Sequence, residues 1–289
     1  MTTELLALKN VHLSFGGTPL LTGADISVSG GDRICLVGRN GSGKSTLLKI
    51  AAGLVQPDKG ERFAHPGARI AYLSQEADLA GFETVQAYIE AGLGPVDDAN
   101  RGRALLGELG VDGEADPANL SGGETRRVAL VRAMAASPDV LLIDEPTNHL
   151  DLPAIEWLEG ALARLPAAIV MISHDRRFLE RLSKKTVWLD RGRTNRLEQG
   201  FKGFESWRDD RLEQEEAERH KLDRRIEREQ QWMHGGVTGR RKRNVKRVAR
   251  LAEFRAEKRD AWHVQGNVRM AVVDSSQSGK LVVEATALH

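Results

Sequence analysis

Short apolar runs alternate with helical patterns through about the first 200 residues of the chain. The apolar runs are rich in β-branched residues, as buried strands are. They lie at residues 33–37, 69–73, 140–144 and 168–173. The helical patterns lie at residues 44–53, 122–136 and 153–164. Strands that alternate with helices predict an α/β fold with a mostly parallel sheet that is covered on both faces.

Two further features frame this pattern. Residues 184–190 and 193–198 are separated by Arg191-Gly192, which predicts a terminal hairpin. Residues 5–8 predict an opening strand, and residues 281–284 resemble it at low identity.

The pattern changes after Phe204. Residues 205–232 contain no Gly or Pro and are rich in Glu, Arg, Gln and Leu, which are strong helix formers. A Gly-containing break at residues 234–239 is followed by a second helical run, from about 240 to 262, with one apolar stripe. The two runs predict a long αα-hairpin of about 40 Å.

Composition excludes several classes of protein. The 289 residues are 40% hydrophobic and 29% charged, as in a globular chain rather than a disordered one. The single cysteine, Cys35, cannot form an internal disulfide, and its mid-strand position predicts a small core residue. The longest strongly apolar stretch, residues 167–172, is far short of the roughly 20 residues that span a membrane. With no signal-peptide pattern at the start, we expect a cytoplasmic protein.

The net charge of +1 hides an uneven distribution of charge. Residues 1–200 carry 22 basic and 26 acidic residues, whereas residues 201–263 carry 18 and 13. Between positions 230 and 252 there are seven basic residues and no acidic one, which favours a surface for a polyanion over an ordinary solvated helix face. The seven are Arg240, Arg241, Lys242, Arg243, Lys246, Arg247 and Arg250.

A phosphate-binding motif lies between a predicted strand and a predicted helix. Residues 38–45 fit the pattern G-x-x-x-x-G-K-[ST], whose glycines let successive backbone N–H groups point at phosphate oxygens. Lys44 would supply a positive charge to the phosphates, and the Ser45 hydroxyl a ligand for Mg²⁺. The predicted ATP-binding residues of this segment are Gly38, Asn40, Gly41, Ser42, Gly43, Lys44, Ser45 and Thr46.

A second acidic site ends the apolar run at residues 140–144. A buried strand that ends in Asp144-Glu145 delivers carboxylates to the edge where α/β sheets bind ligands. Asp144 is predicted to hold Mg²⁺ and Glu145 to polarise an attacking water. The two sites together predict a nucleoside triphosphatase.

A segment that reads Leu-Ser-Gly-Gly-Glu at residues 120–124 adds a family resemblance. With it, residues 1–200 resemble the ATP-binding cassette (ABC) superfamily, with the motifs in the family's order. The matching positions are Phe15 for adenine stacking, the phosphate-binding loop, Gln75 of the Q-loop, Ser121, Gly122 and Gly123 of the signature segment, Asp144 and Glu145, Asp151 of the D-loop and His174 of the switch loop.

The resemblance implies a role for each of these residues. Gln75 would bridge Mg²⁺ and the attacking water, and His174 would hydrogen-bond the γ-phosphate. Phe15 has an open alternative, because a phenylalanine at this position could equally belong to the core. In the family, the signature segment contacts the nucleotide of a second cassette in a head-to-tail sandwich. One cassette alone is therefore expected to hydrolyse ATP weakly.

Three features together resemble the ABC-F family, whose members are cytosolic twin-cassette ATPases that act on ribosomes. They are Asn-His-Leu-Asp at residues 148–151, the pair Arg126-Arg127, and the predicted hairpin. The implied organisation is a cassette at 1–203 with a helical subdomain at about 76–137, a linker at 204–263, and a connector with the first strand of an incomplete second cassette at 264–289.

The resemblance also implies partners. The basic linker would reach ribosomal RNA and the P-site tRNA, and a second cassette would come from the same longer chain or from a second copy. A DNA-structure-binding ATPase of replication, repair or transposon excision is the alternative, because a basic hairpin contacts either polyanion through its phosphates. The ATPase subunit of a membrane transporter is disfavoured, because it needs no basic hairpin.

Overall fold

The computed structural model of the protein describes residues 3–75, 77–95, 97–235 and 249–255. Its strands are β1 (Glu4–Phe15), β2 (Thr18–Ser29), β3 (Arg33–Val37), β4 (Lys59–Ala64), β5 (Ile70–Leu73), β6 (Val140–Asp144), β7 (Ala168–Ile172), β8 (Lys185–Asp190) and β9 (Arg193–Leu197). Its helices are α1 (Lys44–Ala52), α2 (Val85–Glu90), α3 (Ala99–Glu108), α4 (Gly122–Ala135), α5 (Leu152–Arg164), α6 (Arg176–Leu182) and α7 (Phe204–Gly235). Residues 249–255 are also helical.

The predicted apolar runs form the central sheet. This six-stranded sheet has the order β5-β6-β7-β3-β8-β9, and its strands run parallel except for β9. The four strands predicted from apolar runs are confirmed as β3, β5, β6 and β7. The terminal hairpin is confirmed as β8 and β9, and Arg191 and Gly192 both adopt positive φ at its turn.

A second, antiparallel sheet has the order β2-β1-β4. The sequence pattern predicts only residues 5–8 of β1, whereas the strand runs to Phe15. Register shifts near residues 8–12 interrupt the alternation of apolar and polar side chains, so the periodicity that marks a strand is lost there. The edge strand β4 is exposed along most of its length and carries little apolar pattern.

Side chains of the central sheet alternate between two hydrophobic cores. Along β3, Ile34 and Leu36 pack in the core that includes the second sheet and α1. Cys35 and Val37 point into the core shared with α4, α5 and α6. Cys35 is fully buried and is therefore the small core residue that its position predicts. Because both faces are covered, the carboxyl ends of the parallel strands form the accessible edge of the sheet.

A third hydrophobic cluster joins α2, α3 and α4. It includes Val85, Ile89, Leu106, Val128 and Val131. This separate core lies within the region predicted as a helical subdomain, whose boundaries stay a prediction.

The long helix α7 begins at Phe204, where the composition changes. It has 32 residues, about 48 Å at 1.5 Å each. Its base packs by edge-to-face aromatic contacts, with Trp188 6.2 Å from Phe204 and 6.1 Å from Trp207 between ring centroids. The helix continues to Gly235 and so includes the first two residues of the break predicted at 234–239, and the rest of that break lies outside the described residues. None of the helices in the described ranges has the length and apolarity to cross a membrane.

Candidate nucleotide-binding site

The phosphate-binding loop joins the end of β3 to the start of α1. Gly41 and Gly43 adopt left-handed φ angles of 75° and 99°, which glycine tolerates without a Cβ clash. Gly43 caps α1 with its backbone alone, so the first N–H groups of the helix have no side-chain cap. The Lys44 ammonium folds over the loop and donates hydrogen bonds to the carbonyls of Gly38 (3.0 Å) and Arg39 (3.1 Å). The loop therefore presents N–H donors and a cation together.

Gly38 is crowded by its surroundings. A Cβ at this position would lie 2.5 Å from the Leu189 carbonyl oxygen of β8 and 2.9 Å from the Ser42 hydroxyl. The carbonyl belongs to the interior of a sheet and cannot move away cheaply. Only glycine lets the loop lie this close to the neighbouring strand.

We expect Gly38→Ala to lower the free energy of unfolding by about 1–3 kcal/mol, as overpacking of a tight site does. Chemical denaturation of both proteins measures this. Gly30→Ala is the matched control, because a Cβ at Gly30 meets nothing within 4 Å. Equal stability of the two variants would show that the close approach at Gly38 costs nothing.

Asp144 lies at the carboxyl end of β6, buried beside the phosphate-binding loop. Its Oδ2 accepts a hydrogen bond from the Tyr72 hydroxyl at 3.4 Å. Its Oδ1 is buried and has no hydrogen-bond partner among the described residues, and the same holds for the Ser42 hydroxyl. Buried oxygens are normally paired. An unpaired carboxylate oxygen next to a phosphate-type loop fits a hard cation such as Mg²⁺, which prefers oxygen ligands.

Glu145 and His174 form a contact pair. The buried Glu145 has a left-handed φ of 50°, and its backbone N–H donates to the Ile172 carbonyl of β7 at 2.9 Å. Its carboxylate accepts a hydrogen bond from the His174 backbone N–H at 3.1 Å and lies 3.3 Å from His174 Nε2. The strained backbone aims the carboxylate at the switch loop, as strained residues in functional sites often do.

Burial shifts the titration of two groups in the site. Burial raises the pKa of the Glu145 carboxyl, while His174 and Lys44 oppose that rise. Burial likewise lowers the pKa of the Lys44 ammonium, and the carboxylates of Glu145 and Asp144 oppose the change. A more basic carboxylate is a better proton acceptor.

The signature segment begins α4 and is exposed. Ser121 caps the helix, with a reciprocal capping box to Glu124. Gly122 and Gly123 follow in the first turn, and a Cβ at Gly123 would lie 3.1 Å from the carbonyl of His149 in the D-loop. Asp151 caps α5 through the Ala154 N–H at 3.2 Å. The signature and D-loop residues are thus in contact with each other and open to solvent.

The sequence distinguishes Arg126 only as part of a family pattern, whereas the structure places it at the centre of the site. Its guanidinium is buried and donates to the carbonyl of Ser74 and to those of Gln75 (3.1 Å), Asp144 (2.7 Å) and Glu145 (2.7 Å). A basic residue on the buried face of a helix is a signal that could have identified it.

The remaining predicted residues are placed as follows. Gln75 is exposed in the loop after β5, and Ser45 and Thr46 lie in the first turn of α1. Phe15 is 59% exposed at the end of β1, which excludes the alternative of a core phenylalanine. Arg250 is exposed in the helical segment 249–255, whereas the other basic residues predicted to contact nucleic acid, Arg240, Arg241, Lys242, Arg243, Lys246 and Arg247, lie outside the described residues.

The chain is similar in sequence to a family of known proteins and to several individual relatives. Residues 21–148 match the family described as ABC transporter. The chain is 47% identical to the ATP-binding protein Uup of Caulobacter vibrioides, over 97% of this chain and 46% of that protein. It is 33% identical to the energy-dependent translational throttle protein EttA of Mycobacterium tuberculosis, over 89% of this chain and 53% of that protein. The chain thus spans about half the length of the curated relatives it matches.

A solved structure shares the fold. The dimeric, post-hydrolysis ATP-binding cassette MJ0796, bound to ADP and Pi, superposes with a TM-score of 0.61 at 24% identity. The match covers 67% of this chain and 98% of that one. The motifs, their placement at one edge of the sheet and the likeness to Uup along almost the whole chain agree, and the chain belongs to the ABC-F family of ATP-binding cassette proteins.

Proposed function

We propose that this chain binds ATP with Mg²⁺ and hydrolyses it within a head-to-tail sandwich of two cassettes. The observation that supports this best is the convergence of four groups at the carboxyl ends of β3, β6 and β7, which are neighbours in one parallel sheet. They are the Lys44 ammonium, the unpaired Asp144 carboxylate oxygen and the Glu145–His174 pair.

Some residues of the site bind the nucleotide and Mg²⁺, and others take part in the hydrolysis. The N–H groups of the loop, the start of α1 and Lys44 bind the phosphates, and Phe15 offers an exposed ring for the base. Ser45, Gln75 and Asp144 would hold Mg²⁺, which when bound neutralises phosphate charge and orients the phosphates.

Glu145 performs the proton transfer in this proposal. Its carboxylate accepts a proton from a water whose oxygen attacks the γ-phosphorus, while the bond to the β–γ bridging oxygen breaks to leave ADP and phosphate. His174 lies beside Glu145 with its ring largely exposed, where it can hydrogen-bond the γ-phosphate.

The pH dependence of turnover follows from Glu145. Because burial raises its pKa and only the ionised carboxylate accepts a proton, turnover is expected to fall with decreasing pH at a midpoint above the ordinary glutamate value. His174 opposes the rise in the pKa of Glu145, so His174→Ala is expected to raise that pKa further. The midpoint of the fall in turnover should therefore move to higher pH. The measurement is kcat against pH for both proteins. A midpoint at or below the ordinary glutamate pKa in the wild type would contradict the proposed base.

In this proposal a second cassette completes the site, and the exposure of the signature segment to solvent supports that arrangement. Ser121 would approach Lys44 of the other cassette, and the dimeric state of the MJ0796 cassette supports such an arrangement. The test is the mass of the protein in solution with and without ATP and Mg²⁺, together with turnover against protein concentration. We expect association with ATP and turnover that rises more steeply than protein concentration. Turnover that is robust and linear, from a species shown to be a monomer, would overturn the sandwich.

We further propose that the helical linker couples this cassette to the ribosome in the cytoplasm. Three observations support the proposal: the 32-residue helix α7, the seven basic residues between positions 240 and 250, and the relative named as a translational throttle protein. Phosphate contacts from such a cluster are strongly salt-dependent.

Co-sedimentation with ribosomes tests this linker proposal. The chain is expected to pellet with ribosomes in a salt-dependent manner, to be displaced by tRNA or ribosomal RNA, and to lose binding when residues 240–250 are deleted. Four-way DNA junctions are added as competitors in the same experiment. If they displace the protein from ribosomes more effectively than tRNA does, the DNA-binding alternative is supported and the ribosomal role is wrong.

A further inference from the structure

The buried Arg126 guanidinium holds two separate segments of the chain together. Two of its carbonyl acceptors belong to Ser74 and Gln75, in the loop after β5. The other two belong to Asp144 and Glu145, at the end of β6. All four hydrogen bonds therefore end on backbone atoms of residues that carry or adjoin the proposed Mg²⁺ and water contacts.

Burying the charged guanidinium of Arg126 in the protein interior costs free energy. Burial lowers the pKa of Arg126, which reports the cost of keeping its charge away from water. An apolar side chain of similar volume would pack at a lower cost, since buried charges contribute little to stability. The guanidinium is rigid and planar, so its hydrogen bonds fix the relative positions of several backbone carbonyls at once.

The same helix carries the signature segment. Ser121 caps α4, and Arg126 lies five residues further on, about 7.5 Å along the axis at 1.5 Å per residue. The exposed start of the helix and the buried carbonyls are thus joined by one short, rigid connection. A displacement of the start of α4 would reach both loops through Arg126.

We infer that Arg126 is a positioning residue that couples the signature segment, which meets the second cassette, to the Mg²⁺ and water contacts of its own cassette. This inference rests on the proposed ATPase function. Contact of Ser121 with the nucleotide of the other cassette sets the position of α4. Arg126 then sets the positions of the backbone carbonyls of Gln75, Asp144 and Glu145. Each site is therefore complete only when its cassette both holds its own nucleotide and contacts the nucleotide of the other cassette through its signature segment.

The test compares Arg126→Met and Arg126→Lys with Arg127→Met as the matched control. Arg127 lies on the same helix and donates to a single carbonyl, that of Leu109, away from the site. ATP-driven association and KM should stay within about threefold of wild type in all variants. Turnover per associated protein should fall about 100-fold in Arg126→Met, as misplacement of reacting groups does. Arg126→Lys should recover only part of it, because an ammonium lacks the planar fork.

Different results would contradict the positioning role of Arg126 and the proposed ATPase function. If the folded Arg126 variants turn over ATP like wild type and only their thermal stability falls, Arg126 has a structural role and the inference is wrong. The same conclusion follows if Arg127→Met loses as much turnover. Should Arg126→Met fail to fold, as judged by circular dichroism, the Lys variant decides. A wild type that hydrolyses no ATP at any concentration overturns the proposed function and this inference with it.

Discussion

Replacing Glu145 with glutamine is expected to slow ATP hydrolysis by about 10²–10⁴-fold, the typical contribution of a general base, while ATP binding is retained. A carboxamide oxygen can still accept the hydrogen bond from the His174 backbone N–H, so the local geometry persists. The amide cannot accept a proton from water. The associated, ATP-bound form should therefore accumulate, which mass measurements with ATP and Mg²⁺ would detect.

This variant also has an expected effect on stability. Because burial raises the pKa of Glu145 in the folded protein, its ionised form at neutral pH weakens the fold relative to a neutral side chain. Glu145→Gln should thus unfold at the same temperature as wild type or a higher one. Glu198→Gln, on the exposed end of the terminal hairpin, is the matched control and should change neither quantity. Turnover of Glu145→Gln within threefold of wild type would show that Glu145 is not the base.

Removal of the Lys44 ammonium is expected to weaken ATP binding by about 10- to 100-fold, the equivalent of one charge-assisted hydrogen bond or slightly more. The Lys44 ammonium donates hydrogen bonds to the carbonyls of Gly38 and Arg39, and phosphate oxygens can replace both of these acceptors. Calorimetric titration of Lys44→Ala with ATP measures the loss.

The control for this prediction lies on the same helix. Lys49 is exposed in the last turn of α1, so Lys49→Ala removes an equal charge from the far end of the helix. Its ATP affinity should match wild type within about twofold, because the exposed charge at the other end of α1 is weakened by water and by salt. Equal losses in both variants would mean that net charge, rather than the contact of Lys44 with phosphate, governs affinity.

The sequence predicts the central sheet well for a physical reason. Strands β3, β6 and β7 are buried on both faces, so their sequences are continuous apolar runs that need no knowledge of their neighbours. The outer sheet is less predictable. Bulges interrupt β1, and the apolar pattern of the edge strand β4 is weak because few of its side chains are buried.

The site divides along a similar line. The phosphate-binding loop is a local backbone motif, and eight consecutive residues contain all that is needed to recognise it. The contact of Glu145 with His174 and the four carbonyl contacts of Arg126 join residues 18 to 52 positions apart. Sequence patterns name such residues one at a time, and only the arrangement of strands β5, β6 and β7 brings them together.

Two ion pairs hold the base of α7 against the cassette. Arg176, two residues after His174, pairs with Glu205 at 2.6 Å, and Arg191 pairs with Glu215 at 3.2 Å, so the helix is gripped over its first three turns. The helix is about 48 Å long, so a tilt of about 10° at Phe204 would sweep its far end through about 8 Å. We therefore expect any tilt at the base of α7, where Arg176 adjoins the switch loop, to appear as a displacement several times larger at the far end of the helix.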